Sequence, residues 1–191
     1  MKTTNIMIVG VGGQGSLLAS KLLGRLLMNE GYDVKVSEVH GMSQRGGSVV
    51  TYVRYGEKVY SPIIDKGEAD FIISFEKLEA ARYAQYLKAD GKIIVNDQEI
   101  EPMPVITGAA VYPHDVLDNL AKKGVAVDNV DALDLALKAG TSKAVNIVLM
   151  GRLSKLMPIP KEKWIEAINQ TVAPKFVEMN LKAFELGRKD C

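Results

Sequence analysis

Cysteine is almost absent from this sequence. The 191 residues contain one cysteine, Cys191, and a single thiol cannot form an internal disulfide framework. It also cannot hold an iron–sulfur cluster, which takes about four thiolates. The sequence therefore excludes a chain that passes electrons through clusters of its own, and we predict no metal site.

An excess of charge of one sign and long apolar runs are lacking as well. Lysine and arginine number 24 against 23 acidic residues, and no basic cluster is dense enough to indicate a nucleic-acid-binding surface. No apolar stretch reaches the roughly 18 unbroken residues of a membrane span. The first residues lack the basic and apolar regions of a secretory signal. We therefore expect a cytoplasmic protein without nucleic-acid or membrane partners.

What is present is an ordinary globular composition, with 47% hydrophobic and 25% charged residues. Short apolar runs alternate with amphipathic segments, which predicts an α/β fold with a mostly parallel, doubly wound, Rossmann-like sheet and a helical C-terminal extension. We expect a single domain over residues 1–191, sheet-rich in 1–110 and mainly helical in 111–191. The predicted strands are 5–10, 33–38, 48–54, 69–75 and 92–96, with 58–60 pairing back onto 48–54 and 99–107 as a connector or short edge strand; the predicted helices are 12–30, 76–87, 113–123, 131–138, 142–157, 161–170 and 174–188.

A glycine-rich turn joins the first predicted strand to the first predicted helix. Residues 10–15 (GVGGQG) fit the pattern G-x-G-x-x-G, in which the first glycine allows a tight turn, the second lets a ligand approach and the third lets the helix pack on the sheet. The exposed N–H groups and the helix dipole favour an anion there. Two interpretations remain open: the turn binds a nucleotide, phosphate or carboxylate group, or its glycines only permit the turn.

The segment 40–47 (HGMSQRGG) follows the second predicted strand and contains three glycines, so regular structure is not expected in it. It should emerge at the same edge of the sheet as the glycine-rich turn. The Arg45 guanidinium can fork onto a carboxylate or phosphate, and Ser43 can complete an anion nest. His40 has no positioned acid or nucleophile, so we assign no catalytic residue. The residues predicted near an anion or cofactor are Gly10, Gly12, Gly13, Gln14, Gly15, Ser43, Arg45, Gly46 and Gly47, and those predicted for an interface are His40, Met42 and Gln44.

The two motifs together, GVGGQG at 10–15 and EVHGMSQRGGSV at 38–49, resemble the gamma-type domain of the pyruvate and 2-oxoacid:ferredoxin oxidoreductases. The version HGMSQRGG is similar to the indolepyruvate branch of that family. The resemblance spans most of the chain, including the strand 71–75 followed by Glu76 and the helical end.

The resemblance implies a subunit of a larger complex. In that family a large partner subunit carries thiamine diphosphate, Mg and the iron–sulfur clusters, the 2-oxoacid loses CO2, electrons pass to ferredoxin, and CoA is the co-substrate. The present chain would bind no cofactor alone and would be inactive in isolation. The sequence does not fix which 2-oxoacid is used, nor whether the isolated chain forms a homodimer.

Two alternatives remain at the level of sequence. The first is a stand-alone nicotinamide-dependent oxidoreductase that uses the glycine-rich turn and Glu38, which follows the second strand where a ribose-binding acid would lie. The second is a regulatory nucleotide-binding module. Ribose binding does not explain the segment 40–47, which favours the subunit hypothesis over the first alternative.

Overall fold

The computed structural model describes residues 3–39 and 47–189. In this part of the chain a six-stranded mixed sheet is covered by helices on both faces, in the strand order β2-β3-β1-β4-β5-β6. The strands are β1 Thr4–Val11, β2 Asp33–Val39, β3 Ser48–Gly56, β4 Ala69–Ser74, β5 Leu87–Asn96 and β6 Ala126–Val130, and the α-helices are α1 Ser16–Asn29, α2 Lys77–Tyr83, α3 Met103–Ile106, α4 Val116–Lys122, α5 Ala132–Ala139, α6 Val145–Leu153, α7 Lys161–Thr171 and α8 Val177–Arg188.

The apolar run of β1 is central because both faces of the sheet are covered. Successive side chains of a strand point to opposite faces. Ile6 and Ile8 accordingly pack into the core under α1 and α5–α8, whereas Met7 and Val9 pack into the core under α2 and α4. A strand buried on both faces reads as a continuous apolar run, which is why the sequence alone predicts β1.

The pairing of the strands confirms the mostly parallel sheet and corrects one part of its topology. β1–β4, β4–β5 and β5–β6 pair in parallel. β3 lies between β1 and β2 and is antiparallel to both. β1 and β2 therefore run in the same direction but are not neighbours, so the simple strand–helix–strand unit expected from the sequence is opened by an inserted strand.

Several predicted elements differ from those observed. The predicted helix 76–87 ends as α2 at Tyr83, and a 3-10 turn, Ala84–Tyr86, leads into β5, which begins at Leu87 rather than at residue 92. The predicted helix 174–188 begins with a 3-10 turn, Pro174–Phe176, before α8. Helix α1 begins at Ser16 rather than at residue 12, because Gly13 and Gly15 have positive φ angles of 96° and 90°. Residues 58–60 form no strand, and the backbone N–H of Val59 instead donates to Asp33 Oδ2 over 2.9 Å. The predicted helix 142–157 is a 3-10 turn, Ser142–Ala144, followed by the shorter α6. The segment 99–107 contains the one-turn helix α3, and the edge strand β6 was missed.

Helices α6 and α8 approach each other through two glycines. A Cβ at Gly151 would lie 2.3 Å from the carbonyl oxygen of Phe184, and a Cβ at Gly187 would lie 2.1 Å from the carbonyl oxygen of Val148. No other residue fits there without movement of the backbone. This contact fixes α6, whose first turn lies beside the glycine-rich turn. No helix in the described ranges is both long and apolar enough to cross a membrane.

Candidate functional site

The glycine-rich turn lies at the carboxyl edge of the parallel strands. β3 begins at this edge, where Ser48 is paired with Val11, and the N–H of Gly12 donates to the carbonyl of Gly47 over 3.0 Å. The turn and the start of β3 are therefore in direct contact. The predictions for His40, Met42, Ser43, Gln44, Arg45 and Gly46 fall outside the described residues.

The Gln14 side chain lies between the ends of β1 and β4. Its Oε1 accepts a hydrogen bond from the backbone N–H of Val11 over 2.7 Å. Its Nε2 donates to the carbonyl of Phe75 over 3.1 Å and to Gln98 Oε1 over 3.4 Å. Both ends of the amide are used within the protein, so Gln14 joins three strand ends rather than presenting a free group to a ligand.

Two of the glycines are explained by this packing. A Cβ at Gly10 would lie 2.8 Å from Gln14 Oε1 and 2.9 Å from the Cβ of Phe75. A Cβ at Gly15 would lie 2.9 Å from Asn146 Nδ2, which donates to the Gly15 carbonyl over 3.2 Å. Gly10 therefore makes room for Gln14, and Gly15 allows α6 to contact the turn.

Gly13 has a different role. A Cβ there would meet no atom within 4 Å, so the residue faces open space, and its positive φ explains the glycine. The part of the motif that is free to meet a ligand is thus the backbone around Gly13 and the start of α1, where the first N–H groups of a helix have no partner within the helix.

Two cavities border the exposed side of the turn. The first, with a volume of about 370 Å³, lies toward β3 and includes Gly12, Leu17 and Val39 in its lining. The second, with a volume of about 480 Å³, lies between the turn and the residues that precede α6; we call it the Lys143 cavity. Its lining is Gly13, Gln14, Gly15, Gln98, Ile100, Leu133, Ser142, Lys143 and Val145.

Lys143 is the functional candidate that sequence reasoning missed. It lines the same cavity as Gly13 and Gly15, the residue that precedes α1, and a cation beside free backbone N–H groups favours an anion. The signal available in the sequence was the short polar stretch GTSK, residues 140–143, between two helical patterns. The place of Lys143 beside the turn follows from the fold alone.

Asn96 is a second residue that the sequence analysis missed, and its side chain holds the ends of the strands in place. It is completely buried. Its Nδ2 donates to the carbonyl of Phe75 over 3.2 Å and to Gln98 Oε1 over 3.0 Å, and its Oδ1 accepts from the N–H of Ala132 over 3.0 Å. A polar residue at the end of the apolar run 92–96 was the available signal. Asn96 and Gln14 together hold the strand ends in one rigid arrangement.

Glu38 does not lie where a ribose-binding acid would. β3 separates β2 from β1, which places Glu38 two strand spacings, about 10 Å, from β1. Its Oε1 accepts a hydrogen bond from Ser20 Oγ over 2.6 Å. Glu38 lines neither of the cavities beside the turn. This geometry disfavours a nicotinamide dinucleotide bound across the glycine-rich turn.

A pair of buried carboxylates lies on the other side of the same edge. Glu76 accepts from the N–H of Glu79 over 2.8 Å and from the N–H of Ile100 over 3.3 Å, and the Tyr112 hydroxyl also donates to it. Glu79 accepts from the Ser48 hydroxyl and pairs with Arg82 Nε at 3.0 Å. Burial raises the pKa of Glu79. Burial and, second, the hydrogen bond to Glu76 raise the pKa of Tyr112.

Among residues 3–39 and 47–189, no group of three or more His, Cys, Asp or Glu side chains is arranged to hold a metal ion.

Known proteins are similar to this chain in sequence and in fold. The family described as pyruvate ferredoxin/flavodoxin oxidoreductase matches residues 5–189. The indolepyruvate oxidoreductase subunit IorB of Thermococcus kodakarensis is 47% identical over 197 aligned positions, which cover 99% of this chain and 96% of that protein. An identity of this size over the full length shows common descent rather than a shared motif.

Solved structures show the same fold at much lower identity. The pyruvate oxidoreductase subunit PORC of Thermotoga maritima is 21% identical, with a TM-score of 0.74 over 98% of this chain and 96% of that chain. The 2-oxoglutarate:ferredoxin oxidoreductase of Magnetococcus marinus, solved with 2-oxoglutarate, coenzyme A and succinyl-CoA bound, is 18% identical. Its TM-score is 0.75 over 98% of this chain and 31% of that chain. These two structures show that the fold is shared, and the match over residues 5–189 with the 47% identity to IorB shows that the chain belongs to the pyruvate ferredoxin/flavodoxin oxidoreductase family.

Proposed function

We propose that this chain is the accessory subunit of an indolepyruvate:ferredoxin oxidoreductase, and that it completes a complex which oxidatively decarboxylates an aryl 2-oxoacid to an acyl-CoA. The near full-length identity with an indolepyruvate oxidoreductase subunit carries the proposal. The geometry of the edge disfavours the dinucleotide alternative, because the Gln14 amide bonds to the strand ends and Glu38 lines neither cavity beside the turn.

The redox chemistry belongs to a large partner subunit. Thiamine diphosphate with Mg²⁺ supplies the decarboxylation, and iron–sulfur clusters supply the path to ferredoxin. The residues of this chain do not fit these groups, since it has one cysteine and its described ranges contain no cluster of metal-binding side chains. We therefore assign all three cofactors to the partner.

The Lys143 cavity is the place where this chain would contact a substrate of the complex. Lys143, Gly13 and Gly15 offer a cation and backbone N–H groups to a phosphate, and CoA brings a pyrophosphate arm as co-substrate. We propose that the anion-binding residues predicted from the sequence act together with Lys143 on that arm. Gln14 acts indirectly, by fixing the backbone that presents these groups.

A CoA titration tests the cavity. Lys143→Ala should weaken CoA binding about tenfold, the effect of one partly exposed charge-assisted hydrogen bond. Lys123→Ala is the matched control, because Lys123 is also exposed but follows α4 on the other face of the sheet. If the wild type and the Lys143→Ala variant bind CoA with equal affinity, Lys143 does not contact CoA.

The assay for the subunit assignment is reduction of a viologen dye with indolepyruvate as the substrate. We expect no turnover by the isolated chain, and turnover when the purified large subunit is added. Pyruvate and 2-oxoglutarate assayed in parallel define the substrate class. Turnover by the isolated chain would contradict the assignment, and NAD or NADP binding to it would favour the stand-alone oxidoreductase or the regulatory nucleotide-binding module.

We also propose that the segment 40–47, with His40, Met42 and Gln44, contacts the large subunit. Val39 and Ser48, which flank it, lie at the same edge as the glycine-rich turn, so one surface would meet the partner and border the CoA site. Hydrogen exchange of residues 39–48 should slow when the large subunit binds. Equal protection with and without the partner would show that the segment is not an interface.

A further inference from the structure

A groove of about 690 Å³ lies beside the edge, between the start of β3, α2 and the segment around α3. We call it the α3 groove. The segment around α3 contributes apolar side chains and Glu101, and α2 with the residue before it contributes Leu78, Glu76, Glu79 and Arg82. The lining residues used below are Glu76, Glu79, Arg82, Glu101, Met103 and Ile106.

The large apolar side chains on and after α3 are exposed to solvent. Met103 is 65% exposed and Ile106 62% exposed, and Val111, a few residues further along, is 87% exposed. Single exposed apolar residues are ordinary, but several large ones on one short segment at the mouth of a groove indicate a surface that a partner covers.

This apolar segment is held rigidly by one buried side chain. Glu76, only 1% exposed, accepts hydrogen bonds from the N–H of Ile100 at one end of the segment and from the Tyr112 hydroxyl at the other. Tyr112 itself is buried. The exposed side chains of α3 therefore project from a segment that is fixed at both ends, which lowers the entropy that binding would cost.

Carboxylates outnumber cations among the side chains that line the groove. Glu76, Glu79 and Glu101 line the groove with one cation, Arg82, which is already paired with Glu79 at 3.0 Å. Glu101 is exposed, and within residues 3–39 and 47–189 it has no ion-pair partner. The α3 segment thus presents an exposed, unpaired carboxylate next to exposed apolar side chains, and the complement of that surface is a cation next to apolar side chains.

We propose that the α3 groove docks a segment of the large subunit that presents an arginine between apolar side chains. This inference rests on the proposed function, which supplies the large subunit. An arginine fits better than a lysine because its planar guanidinium forks onto a carboxylate while its stem packs on apolar surface. Val11 and Gly47 also line the groove, so the docked segment borders the edge site and couples assembly to its geometry.

Binding of the purified large subunit, measured by calorimetry against full-length variants of this chain, tests the groove. Glu101→Arg should weaken binding at least about tenfold, since it places like charges together, and Glu101→Gln should weaken it less. Met103→Ser should weaken it about fivefold by removing an apolar contact. Glu162→Arg on α7 and Leu137→Ser on α5 are matched controls at exposed positions, and should bind within about twofold of the wild type.

The outcomes separate the two proposals. If the wild type binds and the three groove variants bind equally well, the α3 groove is not the docking site, while the subunit assignment stands. If the wild-type chain does not bind the large subunit, the subunit assignment fails and the docking proposal fails with it. A homodimer of the isolated chain that dissociates on Met103→Ser would assign the groove to a second copy and would also overturn the proposal.

Discussion

Replacing Gly187 by alanine should force α6 and α8 apart. The new Cβ would lie 2.1 Å from the Val148 carbonyl oxygen and 2.9 Å from its carbonyl carbon, so the two backbones must separate by roughly 1 Å to reach van der Waals contact. Forcing extra volume into a packed core costs about 1–3 kcal/mol. The obstacle is backbone on both sides, which places the cost near the upper end. Alanine stabilises a helix by about 0.5–1 kcal/mol relative to glycine. The free energy of unfolding should therefore fall by about 2 kcal/mol in total.

Guanidinium unfolding of the purified chain measures this loss as a change in the free energy of unfolding. Gly24→Ala is the control, because Gly24 is also a buried helical glycine but its Cβ would meet only Val36 Cγ2, at 4.0 Å. That substitution should raise the free energy of unfolding by about 0.5–1 kcal/mol. A Gly187→Ala protein as stable as the wild type would refute the argument that the helix contact requires glycine. Equal destabilisation by both substitutions would refute it as well.

Two further predictions concern the edge of the sheet. Gln14→Ala should lower the free energy of unfolding by about 1–3 kcal/mol, because the Val11 N–H loses its partner and the Phe75 carbonyl keeps only the hydrogen bond from Asn96. An unchanged thermal midpoint would contradict the role given to Gln14. Glu79→Gln tests a pH dependence of the free energy of unfolding. Burial raises the pKa of Glu79 in the folded state. The stabilisation that Glu79 gives when protonated is therefore present below the ordinary carboxyl pKa, and it is lost as the pH rises through the folded-state pKa. The variant should therefore be more stable than the wild type at pH 8 and lose this advantage at pH 4, with only a small correction for the pair with half-exposed Arg82; a larger advantage at pH 4 would contradict the argument.

The sequence predicts the strands whose residues are buried on both faces. β1, β4 and β5 contain continuous apolar runs, and these three strands form the centre of the sheet. β6 (AVDNV) was missed because it is a five-residue edge strand that carries Asp128 and Asn129. The insertion of β3 between β1 and β2 was missed because local patterning reports which residues form a strand and not which strands are neighbours.

The same distinction applies to the candidate site. The glycine-rich turn is visible as a spacing, since its glycines are close in the sequence. The function of Gln14 depends on Phe75 and Gln98, which are 61 and 84 residues away along the chain, and Lys143 reaches the turn only because α6 packs beside Gly15. Such contacts come from tertiary structure, which no local pattern contains.

The hydrogen-bonded Gln14 has a consequence for the annotation of other sequences. The pattern G-x-G-x-x-G is the fingerprint of a dinucleotide-binding turn, but the spacing of the glycines does not report what the residues between them do. In this chain the fifth position is a glutamine whose amide bonds to the ends of two strands, and the strand beside the first is the antiparallel β3. The glycines alone therefore do not distinguish a turn that binds a dinucleotide from one that holds strand ends together.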